Sequence, residues 1–321
     1  MATVTQKQAP SKYDHLMTQC QRHAAVRTAV AHPCSDAALS AAVEAAKLRL
    51  IEPILVGPEK KIRDAAGAGG LNIEKLQIVD QPHSHAAADK AVELVRRGEA
   101  ELLMKGSLHT DELMAAVVAR ETGLRTARRI SHVFIMDVPT YHKTLIVTDA
   151  AINIFPTLED KVDIVQNAID LARSLGLERP KVAILSAVET VNPKIPSTVD
   201  AAALCKMADR GQITGGILDG PLAFDNAISA EAAREKGIKS EVAGDPDILL
   251  VPDLEAGNIL AKQLTFLLGA DAAGIVLGAR VPIILTSRAD SVRARLASCA
   301  VAMLLAHARR QGAGSSGRQG A

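Results

Sequence analysis

The residues best suited to chemistry stand just before the last apolar helix pattern, at Thr286, Ser287, Arg288 and Asp290. They follow a strongly apolar strand pattern, and a helix pattern begins at about Ser291. A guanidinium pairs with two phosphate oxygens at once, while hydroxyls and the N–H groups of a helix start bind the others. The segment therefore predicts a phosphate site. Taken alone, it is equally well explained as a helix cap with Arg288 in solvent.

A second polar segment begins at Lys105, directly after the apolar run 102–104. Gly106 permits a tight turn, and Ser107 or Thr110 can cap the helix that follows. Backbone N–H groups at a helix start attract anions, and a lysine beside the turn reinforces that attraction. The glycine spacing of a Walker A loop is missing. An ordinary strand–helix turn with a surface lysine explains the same residues equally well.

Two more strand ends carry polar groups. Asp219 and Asp225 lie on either side of a Gly-Pro turn, and Gly257 and Asn258 follow another apolar strand. Each of these residues is also an ordinary turn former or cap. Ligand sites in α/β sheets are assembled at the carboxyl ends of several strands. Several strand ends followed by polar residues therefore favour one shared site.

No metal or dinucleotide motif accompanies these segments. His109, His132 and His142 are candidates by position only, and none has a carboxylate at metal-ligand spacing. The sequence also lacks H-E-x-x-H, G-x-G-x-x-G after an early strand, and G-x-S-x-G. A metal centre, a common nicotinamide fold and a hydrolase elbow are therefore not predicted.

The composition bounds the class of protein. The chain has 321 residues, 48% of them hydrophobic, and a net charge of +1, so no overall field attracts nucleic acid or an anionic membrane. Aromatic residues make up 2%, which is too few for base-stacking platforms. The four cysteines form no C-x-x-C pair, the first residues are polar, and no apolar stretch is long enough to span a bilayer. We expect a cytoplasmic protein of two domains.

Strand and helix patterns alternate along most of the chain, which predicts βαβ units and a mostly parallel sheet. The exception is the region 131–148, where two strands joined by Pro139–His142 predict a hairpin-like element. A final helix is predicted from about Ser291 to Arg309. The Gly/Ser-rich tail 311–321 is predicted to be disordered.

Taken in order, the polar segments resemble the phosphate acetyl/butyryltransferase family. The resemblance covers roughly Tyr13 to His307, and the segment at Lys105 is more similar to the butyryltransferase side of the family. It is carried by the segments 104–110, 134–139, 148–153, 219–225, 251–258 and 285–288.

The resemblance implies an α/β fold with two three-layer domains of mostly parallel sheet around a cleft, similar to isocitrate and isopropylmalate dehydrogenases. The first domain is expected at 1–145 plus 282–321, and the second at 146–281. A homodimer is expected, with no tightly bound cofactor and no metal. The implied substrates are coenzyme A or acyl-coenzyme A and inorganic phosphate or acyl phosphate, with neither nucleic acid nor membrane as a partner.

The implied reaction is reversible transfer of a short acyl group, acetyl to butyryl, between coenzyme A and phosphate. The thiolate attacks an acyl phosphate directly in a ternary complex. Ser287 and Arg288 match the family's serine–arginine pair, which implies charge stabilisation by Ser287 and phosphate binding by Arg288. Acetyltransferases carry a proposed aspartate base where this chain has Ala294, and Asp290 is a nearby carboxylate. The expected substrate-binding residues are Lys105, Gly106, Ser107, His109, Thr110, Asn153, Asp225, Gly257, Asn258 and Thr286.

Two alternatives stay open at this point. A metal- and NAD-dependent hydroxy-acid dehydrogenase of the same fold class needs an aspartate cluster and a Lys-Tyr pair, but the only tyrosines are Tyr13 and Tyr141. A non-catalytic acyl-coenzyme A-sensing domain would bind its ligand without turnover. The presence of Ser287 and Arg288 favours catalysis.

Overall fold

The computed structural model describes residues 11–286 and 290–316, with side chains described as far as residue 311. The helices are α1 Lys12–Cys20, α2 Asp36–Lys47, α3 Glu59–Ala68, α4 Ser84–Arg96, α5 Thr110–Val118, α6 Leu158–Ser174, α7 Pro196–Asp209, α8 Phe224–Ile228, α9 Ala230–Glu235, α10 Leu254–Leu268 and α11 Val292–Ser316. The strands are β1 Val26–Ala31, β2 Ile51–Gly57, β3 Gln77–Asp80, β4 Leu102–Lys105, β5 Ser131–Asp137, β6 Leu145–Thr148, β7 Lys181–Leu185, β8 Ile217–Leu222, β9 Ile248–Leu250, β10 Asp271–Leu277 and β11 Ile283–Ile284.

These strands form a single sheet in the order β3-β2-β1-β4-β11-β10-β5-β6-β9-β7-β8. The three central contacts, β11–β10, β10–β5 and β5–β6, are antiparallel. Every other neighbouring pair is parallel. The predicted α/β class and the predicted hairpin at 131–148 are therefore confirmed. One prediction was wrong in detail, because Asp219 lies within β8 and the strand continues to Leu222.

Both faces of the parallel strands are covered by helices. In β1, Val30 packs into one hydrophobic core with Leu39 of α2, whereas Ala29 and Ala31 pack into another with Ala88 of α4. Successive side chains of a strand point to opposite faces, so a strand covered on both sides must be apolar at nearly every position. This accounts for the short apolar runs in the sequence.

The C-terminal segment returns to the first half of the sheet. β11 pairs in parallel with β4, and α11 packs its fully buried stretch from Cys299 to Met303 into the core. The helix continues to Ser316, so residues 311–316, predicted to be disordered, are helical. An ion pair anchors this end, since the Arg310 Nε donates to Glu101 Oε2 at 2.7 Å. Residues 317–321 of the predicted tail lie outside the described residues. Within the described ranges, no helix has the length and apolar character needed to cross a bilayer.

Helix α10 lies against the chain that follows β6, and Gly257 allows this close approach. A Cβ atom at position 257 would lie 2.7 Å from Val251 Cγ2 and 2.9 Å from Ala150 Cβ. Contacts this short force the helix to shift, because protein interiors are close-packed.

We therefore expect Gly257→Ala to lower the free energy of unfolding by about 1–3 kcal/mol, the usual cost of overpacking. Gly67→Ala in α3 is the matched control, because a Cβ there has no heavy atom within 4 Å. The control should be neutral or stabilising by up to about 1 kcal/mol, through the better helix propensity of alanine. Urea unfolding of both variants measures the difference, and equal effects at the two positions would contradict this packing.

Candidate functional site

A cleft of about 860 Å³ opens where β4, β5, β10 and β11 meet helices α5, α10 and α11. Its volume suits a drug-sized or larger ligand. The predicted site residues that line it are Lys105, His109, Thr110, Asn258, Thr286 and Asp290. Residues far apart in sequence therefore meet in one place, but Asp219 and Asp225, from another of the predicted strand ends, do not line it.

A second cavity of about 370 Å³ adjoins the first. It is bounded by the start of α2, the segment from Met104 to Ser107, and Arg295 of α11. Lys105 and Thr286 line both cavities, so the two spaces meet at these side chains. A small ligand and a larger one can therefore be held side by side.

The turn after β4 is fixed to the end of β1. A Cβ at Gly106 would lie 2.4 Å from the carbonyl oxygen of Ala31, so no other residue fits without moving the backbone. The Ser107 hydroxyl donates to the carbonyl of His32 at 2.8 Å and accepts from the amide of Cys34 at 3.2 Å. These contacts hold Lys105 at the junction of the cavities, with 7% of its surface exposed.

The smaller cavity is rich in positive charge. Arg295 is 6% exposed and donates through Nη1 to the carbonyl of Ala37 in the first turn of α2. Ser35 caps that helix by accepting from the amide of Ala38. Two buried cations, Lys105 and Arg295, together with the positive end of a helix dipole favour an anion in this space. The sequence did not reveal Arg295, because an arginine within a helix pattern usually lies in solvent.

The loop after β6 is organised by the buried Asp149. Its Oδ1 accepts from the amides of Ala151 and Ile152 at 2.9 and 3.1 Å. Its Oδ2 accepts from the amide and the side-chain Nδ2 of Asn153 at 3.2 and 2.6 Å. Asn153 also donates to the carbonyl of Ile130 and accepts from Arg129 Nε, each within 2.9 Å. Asn153 therefore stabilises the conformation of this loop through its hydrogen bonds.

Some of the remaining predicted site residues line the smaller cavity, and others line neither cavity. Gly106 and Ser107 line the smaller cavity. Asn153, Asp225 and Gly257 line neither cavity. Asp225 is exposed in α8, with its carboxylate 3.3 Å from the Lys236 ammonium, and a hydrogen bond from the backbone of Asn226, together with that lysine, lowers the pKa of Asp225. Ser287 and Arg288 lie outside the described residues, but Thr286 and Asp290 on either side of them both border the large cleft.

His132 lies on the floor of the large cleft, in β5. It is 1% exposed, and its Nδ1 has no hydrogen-bond partner among the described residues. Burial lowers the pKa of the imidazole to about 4, against an opposing effect of the Asp149 carboxylate. The ring is therefore neutral at pH 7, with one nitrogen donating and the other accepting. Spacing alone does not distinguish His132 from His109 or His142, because burial cannot be read from the sequence.

Among the described residues, no side chains are grouped as metal ligands and no cysteine has a lowered thiol pKa. Across residues 11–286 and 290–311, no three His, Cys, Asp or Glu side chains are grouped as metal ligands. Burial raises the pKa of the thiol to about 11 at Cys34, and to about 12 at Cys20, Cys205 and Cys299. A thiol with such a pKa carries almost no thiolate at neutral pH and is a poor nucleophile.

The chain is similar to known proteins of one family. The family model described as "Phosphate acetyl/butaryl transferase" matches residues 81–303, more than half of the chain. A phosphate acetyltransferase of Rhizobium meliloti is 69% identical over 301 residues, covering 94% of this chain and 95% of that protein. A phosphate butyryltransferase of Clostridium acetobutylicum is 44% identical over 280 residues, covering 87% and 93%. The crystal structure of a branched-chain phosphotransacylase from Enterococcus faecalis V583 superposes with a TM-score of 0.77 at 33% identity, covering 88% and 99%.

Lys105→Met should weaken the binding of inorganic phosphate by about 10-fold or more, because charge-assisted hydrogen bonds contribute about 1.5–3 kcal/mol. Isothermal titration with phosphate measures the change. Lys90→Met on α4 is the control, since Lys90 pairs with Glu93 and lines neither cavity. Equal affinities for phosphate in the two variants would show that Lys105 does not contribute to anion binding.

Proposed function

The chain belongs to the phosphate acetyl/butyryl transferase family, and we propose that it transfers a short acyl group reversibly between coenzyme A and inorganic phosphate. It is an acyltransferase whose other product or substrate is an acyl phosphate. The structural observation that carries the proposal is the meeting of an anion-binding cavity and a larger cleft at Lys105 and Thr286. Such a junction suits two substrates that react with each other directly.

The two substrates divide between the cavities by size and charge. Phosphate, or the phosphoryl end of an acyl phosphate, occupies the smaller cavity beside Lys105 and Arg295. The larger cleft takes the thiol arm of coenzyme A along α10, where Asn258 and Lys262 line the wall. The carbonyl carbon that changes partners then lies at the junction, close to Thr286.

The reaction follows from that placement. The thiol sulfur attacks the carbonyl carbon of the acyl phosphate, and phosphate leaves into the smaller cavity. Negative charge develops on the carbonyl oxygen, and donors held close to it in a dry site stabilise that charge strongly. We assign this role to Ser287 and the binding of the phosphoryl group to Arg288. The flanking residues Thr286 and Asp290 support this assignment because both line the cleft.

Direct transfer is favoured over a covalent acyl-enzyme. A cysteine nucleophile needs a depressed thiol pKa, and burial raises the pKa of all four thiols of this chain. The thiol of coenzyme A, in contrast, has an ordinary pKa near ~8.5 and supplies a few per cent of thiolate at neutral pH. Both substrates must then be bound at once.

The acyl group is acetyl to butyryl. Its environment is the apolar part of the cleft, where Leu108, Phe134 and Leu285 contribute side chains. The similar proteins act on acetyl, butyryl or branched-chain groups by name, which supports short chains as a class. These comparisons disfavour the hydroxy-acid dehydrogenase alternative.

The chain divides into two three-layer domains around the cleft, as in isocitrate and isopropylmalate dehydrogenases. The first comprises 1–145 plus 282–321 and the second 146–281. In support, the cleft is lined both by residues of the first part, Lys105, Thr110 and Thr286, and by residues of the second part, Ala151 and Asn258. The antiparallel strands at the centre of the sheet join the two halves.

The working form is a homodimer in the cytoplasm, with no nucleic acid or membrane partner and no tightly bound cofactor. Large exposed apolar side chains support the dimer, since the adjacent Phe266 and Leu267 of α10 are 76% and 78% exposed and Phe155 is 75% exposed. Apolar side chains exposed to this degree are common at contact surfaces between proteins. All four cysteines are free thiols, which suits a reducing compartment.

An assay of coenzyme A release from acetyl-, propionyl- and butyryl-coenzyme A, with and without phosphate, tests the proposed function. We expect phosphate-dependent release with at least one donor and no requirement for a metal. Arg288→Ala should lower kcat/KM on the order of 10²–10³-fold, as the loss of one charge-stabilising group does. Arg63→Ala on α3 is the control, because Arg63 forms a surface pair with Glu59. Wild-type turnover by a folded Arg288→Ala protein would contradict the assignment.

Cys34→Ser tests the direct route, because Cys34 is a half-buried free cysteine whose backbone amide donates to the Ser107 hydroxyl. We expect turnover close to that of the wild type and initial-rate patterns that intersect, as for a ternary complex. Loss of turnover, parallel initial-rate lines and a trapped acyl group on the protein would instead indicate a covalent intermediate.

A further inference from the structure

The reaction leaves one step without a residue, namely removal of the proton from the thiol of coenzyme A. Position 294 carries an alanine, which lines the large cleft in the first turn of α11. We propose that the imidazole of His132 accepts this proton as the thiol attacks the acyl phosphate. The inference rests on the proposed function and assigns a catalytic residue to its unassigned step.

His132 and Ala294 line the same cleft and are connected through Gly274 and Ser298. Gly274 of β10 lies against the His132 ring, since a Cβ at Gly274 would lie 3.1 Å from His132 Nε2. The amide of Gly274 donates to Ser298 Oγ at 3.0 Å, and that hydroxyl donates to the carbonyl of Ala294 at 2.9 Å. The imidazole and Ala294 are thus joined through one glycine and one serine.

The same glycine places the imidazole beside the strand end that leads to Ser287 and Arg288. A Cβ at Gly274 would lie 2.6 Å from the carbonyl oxygen of Leu285, and the Leu285 amide donates to the carbonyl of Gly274 at 3.3 Å. Leu285 and Thr286 line the cleft together with His132. The absence of a side chain at Gly274 therefore creates the space that the ring occupies next to the proposed reaction centre.

The His132 ring is held in place by its neighbours, but one of its nitrogens lacks a hydrogen-bond partner among the described residues. It meets Phe134 edge to face, with ring centroids 4.4 Å apart, and the hydroxyl of Thr148 donates to the carbonyl of His132 at 2.9 Å. Its buried Nδ1 has no partner among the described residues. A buried polar atom without a partner is uncommon and calls for an explanation, and a catalytic role is one such explanation.

Neutrality makes the imidazole available as an acceptor. Burial lowers the pKa of His132 to about 4 in spite of the Asp149 carboxylate, so the ring holds no extra proton at pH 7. The other charged or titratable groups lining the cleft are Lys105, His109, Lys262, Asp271 and Asp290. A weak base is sufficient because the thiol proton becomes strongly acidic as the sulfur lone pair forms the new bond.

The step balances without another reactant. A lone pair of the sulfur forms the S–C bond, the S–H bond leaves its electrons on sulfur, and the proton moves to the imidazole. The C–O bond to the phosphoryl group then breaks with its electron pair on the phosphate oxygen. The leaving phosphate accepts the proton from the imidazolium, which restores the neutral ring.

The pH dependence of turnover tests the proposal on the unmodified enzyme. With a neutral imidazole as the acceptor, kcat/KM for coenzyme A should be nearly constant from about pH 6 to pH 8, although the thiolate fraction rises about 10-fold per pH unit below its pKa near ~8.5. A wild-type rate that instead rises about 10-fold per unit would overturn the proposal. Absence of wild-type turnover on any short acyl phosphate would refute the proposed function itself, which is a different outcome.

His132→Gln should lower kcat by about 10²–10⁴-fold, with little change in KM, and its rate should now follow the thiolate fraction. The double variant His132→Gln with Ala294→Asp should recover part of this loss, because the added carboxylate can accept the proton. His142→Gln is the matched control, since His142 is exposed beside Asp245 and lines neither cavity. Wild-type turnover in folded His132→Gln, or reduced turnover with an unchanged pH profile, would each contradict proton transfer to His132.

Discussion

The close approach of Gly106 to the end of β1 is the constraint on which the site depends. No side chain fits between position 106 and the carbonyl of Ala31, so the turn after β4 can pass directly beside the neighbouring strand. Lys105 is thereby held where the two cavities meet. A turn that passed further out would leave the lysine in solvent and would separate the anion cavity from the larger cleft.

Buried polar groups around the cleft are fixed by protein partners, which keeps the site in one shape. Asp149 accepts four hydrogen bonds in the loop after β6, and Ser107 is bound to the end of β1. An unpaired buried polar group costs about 1–3 kcal/mol, so such groups are tolerated mainly where a ligand completes them. His132 Nδ1 is such an atom among the described residues, and His132 lines the large cleft.

Much of the fold could be predicted from the sequence, because each parallel strand covered on both faces must be a short apolar run. The hairpin at 131–148 was also predictable from its two apolar segments and the Pro139–His142 turn. The sequence pattern could not show that β11 inserts beside β4, nor that α11 continues to Ser316, since pairing partners and helix ends depend on long-range contacts such as Arg310 with Glu101. A site at several strand ends could be proposed from the sequence, although Asp219 and Asp225 of that set do not line the cleft. The separate roles of Arg295, His132 and Asn153 could not be predicted. These roles depend on how deeply each side chain is buried and on its hydrogen-bond partners, and residue spacing shows neither.

We propose that phosphate and the coenzyme A thiol arm occupy adjoining spaces at the same time. Equilibrium dialysis of radiolabelled phosphate against enzyme saturated with a coenzyme A analogue that lacks the thiol tests this directly. The two cavities predict that phosphate still binds, at one site per chain and with a Kd close to that of the free enzyme. Displacement of phosphate by the analogue would contradict the account, because it would mean that the two ligands compete for one space.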